Sequence, residues 1–499
     1  MDENRRGSGR HTLASNTLIA RATFVIAVVL YGVVIVTHTS EVAGGSDSSG
    51  YANEARLIAR RVADERITEL DRFGLDDSFT SPFTPLGYTS WRPRYATPSY
   101  PPGLPMHMAL AGVLFGFKHA PFYVSPIAAI AGLILLSLFA LRLFRSWWIA
   151  IGAGFALALC ATYVFLALQT MSDVLTTTWT IAAMAAAWKS RDGDARWAAV
   201  AGVSFAIAVW VRPANVILGI AFLFALPWTK KAIAYCAIGG AIFVAPLFVW
   251  NAKQYGSPFR TGYGAAGGLF GLSYFPSHSL NYLRWTSELL TPLVMAGAIY
   301  SIVRARQERI HLVLALWFWT LFLFYCIFGP YEEWWYTRFL LPGYPAIILS
   351  TIYAARAVSL RALALTLLLI GGTGFCWSVH YDLLDMAIGE AIYPDTIRWS
   401  RAEIPRDALV IAMQFSGARK YYDNRFSLRY DWLDADRVRV LEQKVPADRW
   451  WAIVGEFELE DVLQRTGGRW TKISQLRDSL VLHRDPNGTL SSNSMKGSQ

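Results

Sequence analysis

Charge is scarce in this chain: only 16% of its 499 residues are Asp, Glu, Lys or Arg, against about a quarter in soluble domains. With 54% hydrophobic residues and a mean hydropathy of +0.31, that shortage excludes an ordinary soluble globular protein. Cysteine is scarce too. The four, Cys160, Cys236, Cys326 and Cys376, all fall in apolar runs, so they are expected to be small buried apolar residues rather than disulfide partners. The sequence has no basic-aromatic nucleic-acid motif, and after His380 it has no glycine-rich phosphate loop and no metal-ligand spacing. It also shows no internal repeat, the usual mark of a transporter.

What the sequence has is apolar length. A span needs roughly 20 apolar residues of helix, because every backbone group in the bilayer must be hydrogen-bonded internally. About eleven runs qualify or nearly do, at residues 17–37, 122–141, 147–168, 174–188, 197–211, 215–228, 232–250, 289–303, 310–328, 339–355 and 362–379. The fold class expected is therefore a mainly α, polytopic membrane protein. Arg5, Arg6 and Arg10 precede the first run and place the amino terminus in the cytoplasm. Alternating crossings then put Arg142/Arg145, Lys189/Arg191/Arg196, Lys230/Lys231, Arg304/Arg306/Arg309 and Arg356/Arg361 on that same side. The net charge of +10 is read as this inside bias, with Arg and Lys of the outer loops, and not as nucleic-acid binding. The scheme requires that the short apolar stretch Leu104 to Phe117 not cross, as a re-entrant or interfacial helix at the outer surface.

Three substantial pieces remain outside the membrane: a first outer loop at 38–121, a loop from Asn251 to Ser287, and everything after about His380. The first loop opens with Ser46 to Gly50. It continues as a helix in which Tyr51, Ala55, Ile58 and Val62 repeat at spacings of three and four. This pattern predicts an amphipathic helix lying on the membrane, with Arg56, Arg60, Arg61 and Arg66 on its polar face. Residues 76–105, rich in proline, aromatics and arginine, are expected to be irregular chain. The domain division expected is a transmembrane catalytic domain at 1–380, a small soluble α/β extracytoplasmic domain at 381–490 and a disordered tail at 491–499. In the second of these, ALVIAM, WWAIVGE and SLVLHR read as strands and GARKYY and DADRVRVLEQ as helices.

The candidate chemistry lies at the outer face, where hydropathy places two acids, Asp47 and Asp173, each just past an apolar run. Asp47 suits a general base that takes the proton of an acceptor hydroxyl. Its structural alternative is an N-cap of the helix that follows, and Asp173 shares that alternative. Arginines at outer helix ends suit a phosphate leaving group, because a guanidinium donates bidentately. They are Arg338 in WWYTRFLLPGYP, Arg212 in WVRPAN, and Arg92 or Arg94 in WRPRY. Glu332 and Glu333 read as neutralising Arg338 or binding a cation. His107 and His278 lack partners at i+3 or i+4 and are weak metal ligands.

The order of these features resembles the GT-C superfamily of membrane glycosyltransferases, which use polyprenyl-phosphate sugars and include the protein O-mannosyltransferases and aminoarabinose transferases. The resemblance spans roughly residues 15–380. Its elements are the first-loop acid Asp47, the segment YPPGLPMHMALAGVLFG, the second acid Asp173, and Arg338 opening a late span. It implies Asp47 as catalytic base, Asp173 as a residue assisting the site or a metal ion, and Arg338 on the donor phosphate, beside which Arg212 and Arg94 stand as the candidates read from the residues themselves. A divalent metal ion is the one cofactor considered, with Asp173 implied by the resemblance and His278 and His107 as weak candidate ligands from the sequence. The chain departs from the family where Ser48 and Ser49 follow Asp47 and where Tyr100 precedes the double proline.

The function expected is an inverting transfer of a monosaccharide from a polyprenyl-phosphate donor to an outer-side lipid or polysaccharide acceptor, in the bacterial inner membrane. A multi-span transporter or flippase of a lipid-linked or sugar substrate is the alternative from another class. A catalytically dead scaffold is the third.

Overall fold

The computed structural model describes residues 3–264 and 266–491, and side chains from residue 16 onward. Residues 492–499 of the expected tail lie outside the described residues. The chain divides into two compact units, one of residues 1–39, 123–247 and 265–386, the other of residues 40–122, 248–264 and 387–499.

The first unit is helical. Asn16–Thr37, Ala120–Phe144, Lys230–Tyr255, Arg309–Cys326 and Leu360–His380 are long and apolar enough to cross a membrane. Two further pairs meet the test only when joined across a bend, Trp147–Ala158 with Ala161–Ala167 at 66° and Leu272–Leu290 with Leu293–Arg304 at 114°. The protein is thus a multi-pass membrane protein with five such helices among the described residues, or seven if each bent pair is one span. Several of the eleven expected runs are helical but broken or short. Run 215–228 is a 3₁₀ segment, Pro213–Leu218, followed by the short helix Gly219–Ala225. Run 339–355 is divided between a 3₁₀ segment, Trp334–Gly343, and the helix Tyr344–Val358. Three breaks lie at prolines, Pro213, Pro292 and Pro342, each lacking the amide that would continue the ladder, whereas the 66° bend falls at Leu159-Cys160. Cys160 and Cys326 are buried as expected, whereas Cys236 is half-buried and Cys376, on the helix Leu360–His380, is exposed.

The second unit mixes helix and sheet. Strands β1 (Glu65–Arg66), β2 (Tyr88–Arg92) and β3 (Tyr95–Pro98) form an antiparallel sheet in the order β1-β3-β2. Part of the stretch expected to be irregular is therefore a hairpin. Pro93 pre-sets the first turn position and Arg94 takes the left-handed φ of 65° that the second demands. Strands β4 (Leu409–Ile411), β5 (Trp450–Gly455), β6 (Trp470–Leu476) and β7 (Ser479–Arg484) form a second sheet in the order β4-β5-β7-β6. In it β4 pairs parallel to β5, and the other pairs are antiparallel.

First loop and carboxy-terminal segment share one core in this unit. Leu57, Ile67, Leu70, Phe79 and Phe83 from the loop pack in one cluster with Leu409, Leu428, Trp450 and Leu482. The unit differs from the expected division, in which residues 381–490 stood apart from the loop. A loop carrying this much apolar surface needs cover, and the carboxy-terminal sheet supplies it. The helix Asp47–Ala59 shows the same effect. It is buried from Ser48 to Ala55, not laid on a membrane surface as its periodicity suggested. Arg56 does not face lipid either: its guanidinium lies over the Tyr421 ring and donates to the Tyr421 carbonyl. Lys420 pairs with Glu65 at 2.8 Å, and buried Glu69 accepts from the Phe426 amide.

The stretch expected as a non-crossing helix is Gly103–Phe115, 13 residues long. At 1.5 Å per residue it spans roughly 20 Å, short of a hydrocarbon core. Its end exposes Leu110, Val113, Leu114 and Phe115.

Candidate functional site

In the helical unit, local sequence brings Asp173 and Arg212 together. Asp173 lies in the first turn of the helix Ser172–Lys189, and Arg212 directly follows the helix Arg196–Val211. Only a short turn joins these two helices, so they run back antiparallel and the start of one lies beside the end of the other. Pro213 bars Arg212 from helical geometry, and Arg212 is extended at φ −146° and ψ 102°. An acid at a helix start and a base at a helix end also each complement the local backbone dipole. The resulting ion pair, Arg212 Nη1 to Asp173 Oδ1, is 2.7 Å long and buried, with side-chain exposures of 13% and 2%.

Arg338 joins them from the 3₁₀ segment Trp334–Gly343, where its carbonyl accepts from Arg212 at 3.5 Å. Both guanidinium groups lie over one ring, Phe339, at 5.2 Å for Arg212 and 5.3 Å for Arg338. Tyr325 stacks on the same ring at 5.0 Å. Two arginines and one carboxylate on an aromatic floor make a group with a net positive charge, suited to an anion. Phe339 and Tyr325 were not singled out in the sequence, and their only signal there was proximity to Arg338.

His278, a candidate metal ligand, is buried between aromatic rings, stacked on Tyr274 at 5.5 Å and beside Tyr331 at 5.3 Å. Asp173 faces Arg212 rather than other ligand types. Among the described residues no group of three or more His, Cys, Asp or Glu side chains could hold a metal ion. Asp173 and His278, both in the helical unit, belong to no such group. Glu332 and Glu333 are exposed.

Asp47, Arg94 and His107 belong to the second unit. Asp47 is the first residue of its helix, one position past the N-cap, which is Ser46 and makes no side-chain capping bond. Asp47 Oδ1 accepts from the Tyr100 hydroxyl at 2.5 Å, and that hydroxyl also meets Ser46 Oγ at 2.9 Å. Burial, reinforced by the charge of Asp47, raises the Tyr100 pKa and keeps the phenol a donor. The Tyr100 ring packs on Tyr51 at 4.5 Å and edge-on to Tyr263 at 6.1 Å. Two glycines make room for it. A Cβ on Gly50 would lie 2.4 Å from the Tyr100 ring, and Gly87, at φ +82°, has its own Cβ position 2.4 Å from the Gly50 Cα. Tyr100 is where the chain departed from the family pattern, and here it holds the first-loop acid.

Arg94 has another task. Its guanidinium pairs with Asp71 at 2.5 Å and Asp77 at 2.9 Å and donates to the Leu75 carbonyl, bracing the hairpin. These bonds engage the guanidinium that the sequence offers to the donor phosphate. Arg92 pairs with Asp64 at 2.7 Å. His107 Nδ1 bonds to the Gly103 carbonyl one turn back, and burial lowers its pKa.

Sequence reasoning missed Glu54. It lies seven residues after Asp47, two helical turns along the same face, and is 1% exposed. Neither carboxyl oxygen has a hydrogen-bond partner. Burial raises its pKa well above the usual carboxylate value, which favours the neutral acid.

No protein-family model matches the sequence, and no curated protein matches it. Solved structures do resemble the fold. ArnT from Cupriavidus metallidurans bound to undecaprenyl phosphate superposes with a TM-score of 0.58 at 12% identity, over 93% of this chain and 98% of that one. The apo state of that protein gives 0.54 at 13% identity, over 95% and 99%. The Archaeoglobus fulgidus oligosaccharyltransferase in complex with zinc and sulfate gives 0.52 at 12%, over 92% of this chain and 73% of that one. At such identities the likeness speaks for the fold alone, and that fold is the GT-C fold expected from the sequence.

Proposed function

From the GT-C fold as premise, we propose that this chain is a membrane glycosyltransferase that moves a monosaccharide from a polyprenyl-phosphate donor to a lipid or polysaccharide acceptor. The cluster of Asp173, Arg212 and Arg338 on Phe339 carries this reading, because a donor of that class brings an anionic phosphate. The similar ArnT structure binds undecaprenyl phosphate, a ligand of the same class. Arg212 and Arg338 contact the donor phosphate, and Asp173 holds Arg212 in orientation.

Asp47 acts as general base. The acceptor oxygen attacks the anomeric carbon, its proton passes to Asp47, and the bond from that carbon to the phosphate oxygen breaks. The electron pair leaves on polyprenyl phosphate, whose charge the two arginines stabilise. A single displacement inverts the anomeric configuration. Tyr100 fixes the Asp47 carboxylate by its hydroxyl bond. The site faces the outside of a bacterial inner membrane, with the amino terminus in the cytoplasm.

The test is Asp47→Asn in purified membranes supplied with a panel of polyprenyl-phosphate sugars. General-base loss lowers transfer by about 10² to 10⁴. Unchanged transfer by well-folded protein removes Asp47 from the mechanism, and absence of transfer by the parent chain from every donor removes the reaction class.

A further inference from the structure

A pocket of about 360 Å³ in the helical unit lies where the helices Gly219–Ala225, Leu293–Arg304 and Arg309–Cys326 end or begin, lined by Phe224, Trp228, Arg306, Gln307, Arg309 and Leu312. The proposed transfer uses none of these residues. Arg309 is fixed in the wall: its Nε donates to the Phe224 carbonyl at 2.8 Å and its Nη2 to that of Leu226 at 3.1 Å. These are carbonyls that a helix end leaves without an internal partner. Arg191 reaches the Leu226 carbonyl as well, at 3.3 Å, so two guanidinium groups meet on one oxygen. Burial, and the like charge of Arg309, lower the Arg191 pKa.

Arg306 and Arg309 are the cations of the lining, Arg306 exposed, and exposed Lys230 and Lys231 follow Trp228 by two and three positions, while the one acid of the lining, Glu308, pairs with Arg304 at 3.4 Å. Exposed apolar side chains lie on the same elements. Trp228 is 66% exposed and Leu223 58%, and Ile302 and Val303 are exposed on the adjoining helix. The Trp228 indole donates to the Leu223 carbonyl at 2.9 Å, and Arg309 lies 5.8 Å from its ring. An exposed tryptophan at the end of an apolar helix marks the boundary between hydrocarbon and head groups.

We propose that this pocket binds an anionic glycerophospholipid, with its phosphate on Arg306 and Arg309 and the start of its acyl chains against Trp228 and Leu223. The cations supply the attraction for a negative head group. The exposed apolar side chains select a lipid over a free phosphate ion, which has nothing to place there. This site is independent of Asp47 and of the Asp173 cluster.

The test is native mass spectrometry of the full chain in detergent, with equimolar phosphatidylglycerol and phosphatidylcholine. Phosphatidylglycerol should be retained over phosphatidylcholine by about tenfold, and Arg306→Gln should reduce that preference by about fivefold, as loss of one surface cation does. Glu308→Gln should increase it. Trp228→Ala should weaken retention of phosphatidylglycerol with charge unchanged, and excess inorganic phosphate should not displace the lipid. Equal retention of the two lipids, a preference untouched by Arg306→Gln, or displacement by inorganic phosphate overturns the proposal. Melting curves of each variant separate lost binding from lost folding, and Glu308→Gln, a change at an exposed position, keeps the test open if another variant fails to fold.

Discussion

Arg212 and Asp173 lie 39 positions apart in sequence and 2.7 Å apart in space, because one short turn folds two helices back on each other and Pro213 ends the second where the first begins. Buried on both sides, such a pair is a poor source of net stability but expensive to break. Asp173→Asn leaves the Arg212 charge uncompensated. We expect a loss of about 3 to 5 kcal/mol, read as a lower unfolding temperature in detergent. The double variant Asp173→Asn with Arg212→Gln should recover much of it. Additive losses in this double-mutant cycle would mean that the two side chains are not coupled.

The Asp47 carboxylate accepts from the Tyr100 phenol. A hydrogen bond to a charged group contributes about 1.5 to 3 kcal/mol to stability, so Tyr100→Phe should lower the melting temperature and, by freeing the Asp47 carboxylate, slow transfer as well. Gly50→Ala tests the same contact sterically, since its Cβ meets the Tyr100 ring at 2.4 Å. Overpacking of this kind costs about 1 to 3 kcal/mol. It should lower both transfer and melting temperature, and a silent Gly50→Ala would contradict the packing.

Arg94 combines a left-handed φ of 65° with ion pairs to Asp71 and Asp77. Glycine relieves the left-handed backbone strain but frees the unfolded chain, and the ion pairs lost are exposed and therefore weak. Arg94→Gly should therefore change the melting temperature little and leave transfer untouched. A large loss of transfer would return Arg94 to the donor site.

Glu390 reports on pH. Burial pushes its pKa from 4.5 up to about 7. Between those values the native state keeps a proton that the unfolded chain has released. Its contribution to stability is thus fully present below about 4.5 and lost as pH rises through about 7. Melting temperatures of the parent and of Glu390→Gln, compared at about pH 5 and about pH 8, should show the parent losing ground at the higher pH. Parallel curves would show that Glu390 titrates normally.

Much of the site was legible because its determinants are local. Val211-Arg212-Pro213 announces a helix end with an arginine on it, and Ser172-Asp173 opens an apolar run, so both positions could be picked out without coordinates. The Asp47 bond was not legible. Tyr100 is 53 residues away, and the glycines that admit its ring, Gly50 and Gly87, show no pattern that names their guest. The Asp47–Ala59 helix was misjudged for a related reason. Periodicity marks an apolar face but is silent about what covers the other one, and here Arg56 is taken up by Tyr421, 365 residues on.

Membrane character, the places where helices stop and the chemistry available at their ends were determined by the sequence itself, since hydropathy and proline act within a few residues of where they stand. Which charges meet, which arginine braces a hairpin, and the joining of the first loop to the carboxy-terminal sheet were decided only in the tertiary structure. Those outcomes depend on contacts between distant segments, whose energies arise from burial and pairing that no local stretch of chain encodes.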